Sequence, residues 1–255
     1  MLGVDDVSVT FGGVRAVDGV TFTVRDGEVC GLIGPNGAGK TSLLNLISGV
    51  YRPSGGRLLL GDVDITTARP HQVAALGVGR TFQNLARFSG MTVLDNVSLG
   101  RHVKMRAGIL STAVYWGRAR REEAQHREKV EQIIDFLEME GIRRVPVGSL
   151  PYGLQKRVEL GRALALEPRL LLLDEPTSGM NADEKEDIAR FILDINQEMG
   201  VTLLLVSHDM GVTMDICDRV VVVDQGRKIA EGTPAEVHDD PDVARAYLGE
   251  AMAHP

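Results

Sequence analysis

One stretch constrains the fold of this chain more than any other: residues 34–41, with the sequence Gly-Pro-Asn-Gly-Ala-Gly-Lys-Thr. It matches the phosphate-loop template G-x-x-x-x-G-K-[ST] at every fixed position. The apolar run at 28–33 predicts a buried strand before the loop, and residues 42–47 predict a helix after it. A strand, a glycine loop and a helix N-terminus direct N–H groups and positive potential at a phosphate. The stretch therefore predicts nucleotide binding, and a glycine-rich turn with a surface lysine is the disfavoured alternative.

The residue types inside the loop suit particular tasks. Its glycines let backbone N–H groups close around the β-phosphate. Lys40 is placed to reach the β- and γ-phosphates, and the hydroxyl of Thr41 can ligate Mg²⁺. We expect ATP to be bound here by Asn36, Gly37, Ala38, Gly39, Lys40, Thr41 and Ser42.

Composition excludes several classes of protein. Of the 255 residues, 44% are hydrophobic and 4% aromatic, which predicts an aliphatic core and no aromatic surface for stacking bases. The net charge of −7 argues against nucleic acid as the main partner. No apolar run approaches the roughly 18–20 residues that span a bilayer, and no signal pattern is present at the N-terminus. Cys30 and Cys217 are isolated in apolar surroundings, so we expect a reduced cytoplasmic protein without a disulfide or a cysteine metal site.

The apolar runs predict an α/β core. Runs at 170–175, 201–206 and 220–223 are separated by helical stretches, which indicates a parallel sheet with crossovers. Short β-like runs with glycine turns at 4–33 predict an antiparallel sheet that leads into the phosphate-loop strand. Residues 84–166 are mostly helical in pattern, with an amphipathic helix at 122–138. We therefore expect one domain over 1–255, with a nucleotide-binding core at 1–83 and 167–255 and a helical subdomain at 84–166.

Polar side chains follow the buried strands where ligands bind in such sheets. We expect Asp174 to hold Mg²⁺ with Thr41 or a water, and Glu175 to activate the attacking water as general base. His208 is expected to sense the γ-phosphate. The alternatives are a solvated pair of acids and a satisfied histidine. On their own, Gln83 is an ordinary polar strand end and Phe11 an ordinary core or edge phenylalanine.

Six motifs then occur along the chain in a definite order: the phosphate loop, Gln83, the octapeptide Leu-Pro-Tyr-Gly-Leu-Gln-Lys-Arg at 150–157, the strand at 170–175, Ser-Gly-Met-Asn at 178–181, and His208. In order and spacing they resemble the ATPases of ABC transporters, and the resemblance covers essentially the whole chain. A narrower resemblance is to the ATP-binding subunits of branched-chain amino-acid-type importers, specifically the longer of the two paired subunits. It is carried by Phe11-Gly12-Gly13, Arg80-Thr81-Phe82-Gln83, the insert at 107–121, Tyr152 and the ending at 240–250.

The resemblance implies further roles. Phe11 would stack on adenine, and Gln83 would sense Mg²⁺ and the water and lead into the surface that grips the membrane subunit. The signature helix from Gly153 would close on the γ-phosphate of ATP held by the opposite subunit. Residues 178–181 would cross the interface between the two ATPase subunits.

Two motifs depart from the family pattern. The signature is commonly Leu-Ser-Gly-Gly-Gln, and here Pro151, Tyr152 and Leu154 replace its serine, first glycine and glutamine. The aspartate usual in the 178–181 loop is Asn181. These changes affect the ATP that the opposite subunit holds and this signature contacts. They do not affect the binding of ATP by the phosphate loop of this subunit.

The expected function is ATP hydrolysis that powers import of branched-chain amino acids or related small polar solutes. The expected cofactors are ATP and Mg²⁺. The expected partners are a second ABC ATPase subunit, transmembrane permease subunits and, indirectly, a solute-binding protein, with the chain on the cytoplasmic face of the membrane and no nucleic acid bound. The alternatives are the ATPase of a lipopolysaccharide-type exporter, and a soluble ABC ATPase that acts on nucleic acid or ribosomes.

The insert at 107–121 leaves two interpretations open. It combines apolar residues, including the single tryptophan Trp116, with arginines that continue to Arg127. Such a stretch could dock near a membrane or be buried by neighbouring helices.

Overall fold

The computed structural model describes residues 1–81, 88–102 and 118–253. The chain forms two compact units. The core unit comprises Met1–Arg80 and Arg169–Pro255, and the helical unit comprises Thr81–Pro168. Their assignment to a single ATPase domain with a helical subdomain at 84–166 stays a prediction.

The strands belong to the core unit: β1 (Leu2–Phe11), β2 (Val14–Val24), β3 (Val29–Ile33), β4 (Gly55–Leu60), β5 (Val63–Asp64), β6 (Val78–Arg80), β7 (Leu170–Asp174), β8 (Thr202–Val206), β9 (Arg219–Asp224) and β10 (Arg227–Gly232). Its helices are α1 (Lys40–Ile47), α2 (Pro70–Ala75), α6 (Ala182–Met199), α7 (Met210–Ile216), α8 (Pro234–His238) and α9 (Pro241–Ala253). The helical unit contains α3 (Val93–Leu99), α4 (Arg118–Phe136) and α5 (Tyr152–Leu164).

The first sheet is antiparallel, with strand order β2-β1-β4-β5. Alternate residues of β1 are buried, as a sheet with one covered face requires. The alternation breaks at Asp6, which has a φ of 49°, and the pairing with β2 shifts between Val4 and Val7. This bulge returns Val7 and Val9 to the buried face.

The second sheet has the order β10-β9-β3-β8-β7-β6. From β9 to β6 all neighbours are parallel, while β10 pairs antiparallel with β9. Every residue of β3, β7 and β8 is buried, because helices cover both faces of a parallel sheet. The predicted fold class is confirmed: a largely parallel sheet, an antiparallel N-terminal sheet and a helical region. The order places β3, β8 and β7 side by side, so the segments that follow them meet at one end of the sheet.

An apolar cluster joins the two sheets through α1. It includes β-strand valines and leucines from both sheets together with Leu43, Leu44, Leu46 and Ile47 of the helix. Full burial of each such side chain stabilises the fold by about 1.5–3 kcal/mol. The helix that begins at Lys40 is thereby fixed to both sheets.

The helical unit packs closely around a glycine. Val130, Ile133 and Ile134 of α4 are buried, which confirms the predicted amphipathic helix. A Cβ atom on Gly161 of α5 would lie 3.1 Å from Leu137 and 3.3 Å from Val97 of α3. Glycine at this position therefore allows α5 to approach its neighbours.

Candidate functional site

The phosphate loop has a backbone that only glycine can adopt at two points. Gly34 has a φ of 154° and Gly39 a φ of 102°. A Cβ atom would lie 2.0 Å from the carbonyl oxygen of Val223 at Gly34, and 2.5 Å from that of Ala16 at Gly39. The loop thus packs between β9 and β2. Its two template glycines are required because a side chain would clash with these carbonyl oxygens and because the torsion angles favour glycine.

Lys40 begins α1 and lies across the loop. Its side chain is buried, and Nζ donates hydrogen bonds to the carbonyl oxygens of Gly34 at 2.6 Å and Pro35 at 2.8 Å. The ammonium group is therefore held at the loop, where it can form charge-assisted hydrogen bonds with phosphate oxygens.

A turn that sequence reasoning missed supports the loop. Gly226 donates its N–H to the carbonyl of Ala38 at 3.0 Å and accepts the N–H of Asp18 at 2.8 Å. Hydrogen bonds from Arg15 and Arg227 to the carboxylate hold the pKa of Asp18 below its ordinary value. Gln225 and Gly226 have φ values of 46° and 80°, as in a tight turn. Gly226 indicates a turn in the sequence, but no neighbouring residue indicates that the turn contacts the phosphate loop.

Glu175 and His208 come together at the ends of adjacent parallel strands. Oε1 of Glu175 lies 3.2 Å from Nδ1 of His208, and both side chains are partly exposed. Glu175 has a φ of 49°, in the left-handed region, and its N–H donates to the carbonyl of Val206 at 2.8 Å. A non-glycine residue in this region stores strain, which is commonly found at functional sites. The predicted general base and the predicted γ-phosphate sensor thus form a contacting dyad, and their roles stay predictions.

Asp174, one residue earlier, points into the protein and is held by an arginine. Nη2 of Arg80 donates to Oδ2 of Asp174 at 3.1 Å, and the two side chains are 9% and 3% exposed. Nη1 of Arg80 also donates to Asn45 at 2.7 Å and to Ser48 at 2.9 Å. Arg80 therefore connects β6, β7 and the phosphate-loop helix. Sequence reasoning assigned it no role beyond the family resemblance.

The segments that flank the dyad are also fixed. Lys185 of α6 and Asp209 form an ion pair of 2.5 Å, and this hydrogen bond lowers the pKa of Asp209. Asn181 caps α6 by accepting the N–H of Glu184 at 3.0 Å, while Glu184 accepts the N–H of Asn181. Asparagine and aspartate cap helices about equally well, so the departure at Asn181 leaves the helix start intact.

The signature region lies in the helical unit. Pro151 occupies the N-cap position of α5 with φ −53° and ψ 153°, and no side chain caps the helix there. Tyr152 is exposed and Gly153 is buried. Proline is well tolerated at a helix start, so α5 still begins at Tyr152 although Pro151 replaces the serine of the common signature.

The structure places most of the predicted residues in the core unit. The phosphate loop, Asp174, Glu175 and His208 follow adjacent strands, and Phe11 lies exposed at the end of β1. Gln83 lies outside the described residues, and the strand that it was predicted to end is described as Val78–Arg80. Most of the insert at 107–121, including Trp116, is outside them as well.

The donor set at the site fits Mg²⁺. Thr41 and Asp174 offer a hydroxyl and a buried carboxylate, which are the hard oxygen ligands this ion takes alongside nucleotide phosphates. Within residues 1–81, 88–102 and 118–253, no group of three or more His, Cys, Asp or Glu side chains is placed to bind a metal by itself. Nor does that part of the chain contain a helix with the length and apolarity needed to cross a membrane.

Comparison with known proteins gives consistent matches over nearly the whole chain. A family model described as ABC transporter matches residues 17–178, and one described as branched-chain amino acid ATP-binding cassette transporter matches residues 227–253. The high-affinity branched-chain amino acid transport ATP-binding protein BraF of Pseudomonas aeruginosa is 38% identical over 98% of each chain. LivG of Escherichia coli K12, with the same description, is 36% identical over 98% of each chain.

The fold also matches a solved structure. The ADP conformation of an ATP-binding cassette of an ABC transporter superposes with a TM-score of 0.86 and is 33% identical, over 98% of this chain and 99% of that one.

Proposed function

The chain belongs to the ATP-binding subunits of ABC transporters of the branched-chain amino-acid type, and we propose that it is the longer of the two ATPase subunits paired in such an importer. It is an ABC-type ATPase coupled to transport. The choice of subunit is supported by the insert at 107–121 and by the ending at 240–250. In this assignment the solute is a branched-chain amino acid or a related small polar solute.

The proposed mechanism assigns each residue a step. Backbone N–H groups of 36–42 and the ammonium group of Lys40 bind the β- and γ-phosphates. Glu175 takes a proton from the water that attacks the γ-phosphorus, ADP leaves, and inorganic phosphate is released. His208 holds Glu175 at hydrogen-bond distance and faces the γ-phosphate. Thr41, Asp174 and Gln83 would hold Mg²⁺, which neutralises charge on the phosphates when bound.

The observation that carries this mechanism is the contact between Glu175 and His208, at 3.2 Å, beside the strand that leads into the phosphate loop. The test is binding of a non-hydrolysable ATP analogue to Lys40→Ala, with Lys129→Ala on the exposed face of α4 as the matched control. We expect a loss of affinity only in Lys40→Ala, because that change deletes a charge aimed at phosphate oxygens. Equal affinity in both variants would contradict the assignment of the loop.

The proposed partners are a second ATPase subunit, transmembrane permease subunits and, indirectly, a solute-binding protein. Residues 107–121 would contact a membrane subunit or lipid headgroups, and the chain would lie on the cytoplasmic face. Purification from membranes should recover permease subunits and a second ATPase. Recovery of nucleic acid or ribosomes, or of lipopolysaccharide-export components, would support the alternative functions.

The two ATP sites of the assembled transporter are proposed to be unequal. A serine at position 151 would donate a hydroxyl to the γ-phosphate, and proline offers neither a hydroxyl nor an N–H. The lost hydrogen bond to the charged phosphate would contribute about 1.5–3 kcal/mol to binding. The dipole of the helix still contributes about 0.3–1 kcal/mol. The weakened site is the one on the partner's phosphate loop. With a standard signature in the partner, loss of Glu175 should cost more activity than loss of the partner's glutamate. Equal losses, or a larger loss from the partner's glutamate, would refute the asymmetry.

A further inference from the structure

An exposed aromatic pair lies at the end of the first hairpin of the core unit. The ring centroids of Phe11 and Tyr51 are 4.9 Å apart and the ring planes meet at 63°, an edge-to-face arrangement. Both residues are exposed, Phe11 at 43% and Tyr51 at 36%. Val14, which pairs with Phe11 across the hairpin, and Val50 are exposed too. These four side chains leave apolar surface exposed close together, and such a patch commonly marks a binding site.

Tyr51 is held in place by both elements of the nucleotide site. Its N–H donates to the carbonyl of Asn45, in α1, at 3.0 Å. Ser54, three residues later, donates its N–H to the carbonyl of Ser8, in β1, at 2.8 Å. The tyrosine is therefore fixed between the helix that begins at Lys40 and the strand that ends at Phe11.

The hairpin that carries the pair reaches the phosphate loop. Ala16, two residues beyond Val14, is the residue whose carbonyl oxygen excludes a Cβ atom from Gly39. Two residues of strand correspond to about 7 Å, so the exposed rings are within one nucleotide length of the loop. A base attached to phosphates in the loop is thus the occupant that the position of the patch supports.

We propose that Tyr51 is a positioning residue for adenine: it holds the ring of Phe11 in the orientation that stacks on the base. This inference rests on the proposed function, in which Phe11 contacts adenine. An unsupported phenylalanine at a hairpin end samples several rotamers, and ordering it reduces affinity. The edge contact with Tyr51 fixes the rotamer before the nucleotide arrives and leaves part of the Phe11 ring accessible to the base.

The test compares a ligand that has a base with one that lacks it. Binding of the Mg²⁺ complex of a non-hydrolysable ATP analogue and of inorganic tripolyphosphate is measured by calorimetry on the full chain. Tyr51→Ala should weaken binding of the analogue about 2- to 12-fold and leave tripolyphosphate unchanged. Tyr51→Phe, which keeps the ring, should bind like the wild type. Val63→Ala, an exposed apolar residue on β5, is the control for loss of surface area and should have no effect.

A double-mutant cycle separates this inference from the proposed role of Phe11. If Tyr51 acts through Phe11, Tyr51→Ala has no further effect on analogue binding in a Phe11→Ala background. Tyr51→Leu repeats the test with apolar volume retained, in case the alanine variant folds poorly. The inference is overturned if Tyr51→Ala and Tyr51→Leu bind the analogue like wild type, if both ligands weaken equally, or if Tyr51→Phe behaves like Tyr51→Ala. If Phe11→Ala itself leaves the ratio of the two affinities unchanged, the proposed role of Phe11 fails first.

Discussion

Replacing Arg80 with methionine tests how the site is held together. Methionine keeps an unbranched apolar stem of similar reach and removes the guanidinium group. In the native protein that group donates hydrogen bonds to Asp174, Asn45 and Ser48, with both charged side chains at least nine-tenths buried. Removing one partner of a buried ion pair leaves an uncompensated charge and costs about 3–5 kcal/mol of unfolding free energy. Arg80→Met is therefore expected to lose that amount of stability.

The assay is thermal unfolding of the full chain, followed by circular dichroism. At about 2–4 °C of Tm per kcal/mol for a protein of this size, Arg80→Met should lower Tm by about 6–20 °C. Arg57→Met is the matched control, because Arg57 and Asp5 form an ion pair whose side chains are both well exposed. Its Tm should stay within about 4 °C of wild type. A shift of that small size for Arg80→Met would show that the ion pair between Arg80 and Asp174 does not stabilise the fold.

Three further predictions concern the loop, the thiols and pH. Gly39→Ala should weaken binding of an ATP analogue about 5- to 150-fold in calorimetry, because a side chain strains the loop by about 1–3 kcal/mol; unchanged affinity would contradict this. Burial raises the pKa of both thiols, and that of Cys30 to about 12. Cys30 and Cys217 should therefore react with a thiol reagent at pH 8 only after the protein is unfolded. Rapid labelling of either cysteine in the folded protein would contradict this prediction. The hydrogen bond from Lys185 lowers the pKa of Asp209 from its ordinary 3.8, so the ionised carboxylate stabilises the fold above that pH, and this stabilisation is lost as the pH falls through the lowered pKa. In urea unfolding, Asp209→Asn should therefore lose stability fully at pH 7 and lose none in acid. A loss of stability that does not change with pH would contradict this prediction.

The sequence predicted those parts of the site that are local in the chain. The phosphate loop is a contiguous motif, and its glycines report torsion angles that other residues rarely adopt. Asp174 and Glu175 follow an uninterrupted apolar run, and His208 follows another. Because parallel strands end at the same side of a sheet, sequence alone brings these residues to one place.

The supporting contacts could not be predicted because they join residues far apart in the chain. Arg80 and Asp174 are 94 positions apart, and only the pairing of β6 with β7 brings them together. Tyr51 contacts Phe11 because the segment after α1 is hydrogen-bonded to α1 and to β1. No local sequence pattern indicates that arrangement. The bulge at Asp6 likewise depends on how β1 pairs with two neighbours.

Glu175 is proposed to activate water for ATP hydrolysis, and Gln at this position separates that role from ATP binding. Glu175→Gln keeps the shape of the side chain and removes its basicity. In the assembled transporter, ATP affinity and ATP turnover should be measured on the same preparation for this variant and the wild type. We expect affinity within about threefold of wild type and turnover about 10²–10⁴-fold slower at the site built on this subunit. Turnover at that site within about threefold of wild type, with ATP bound, would contradict it.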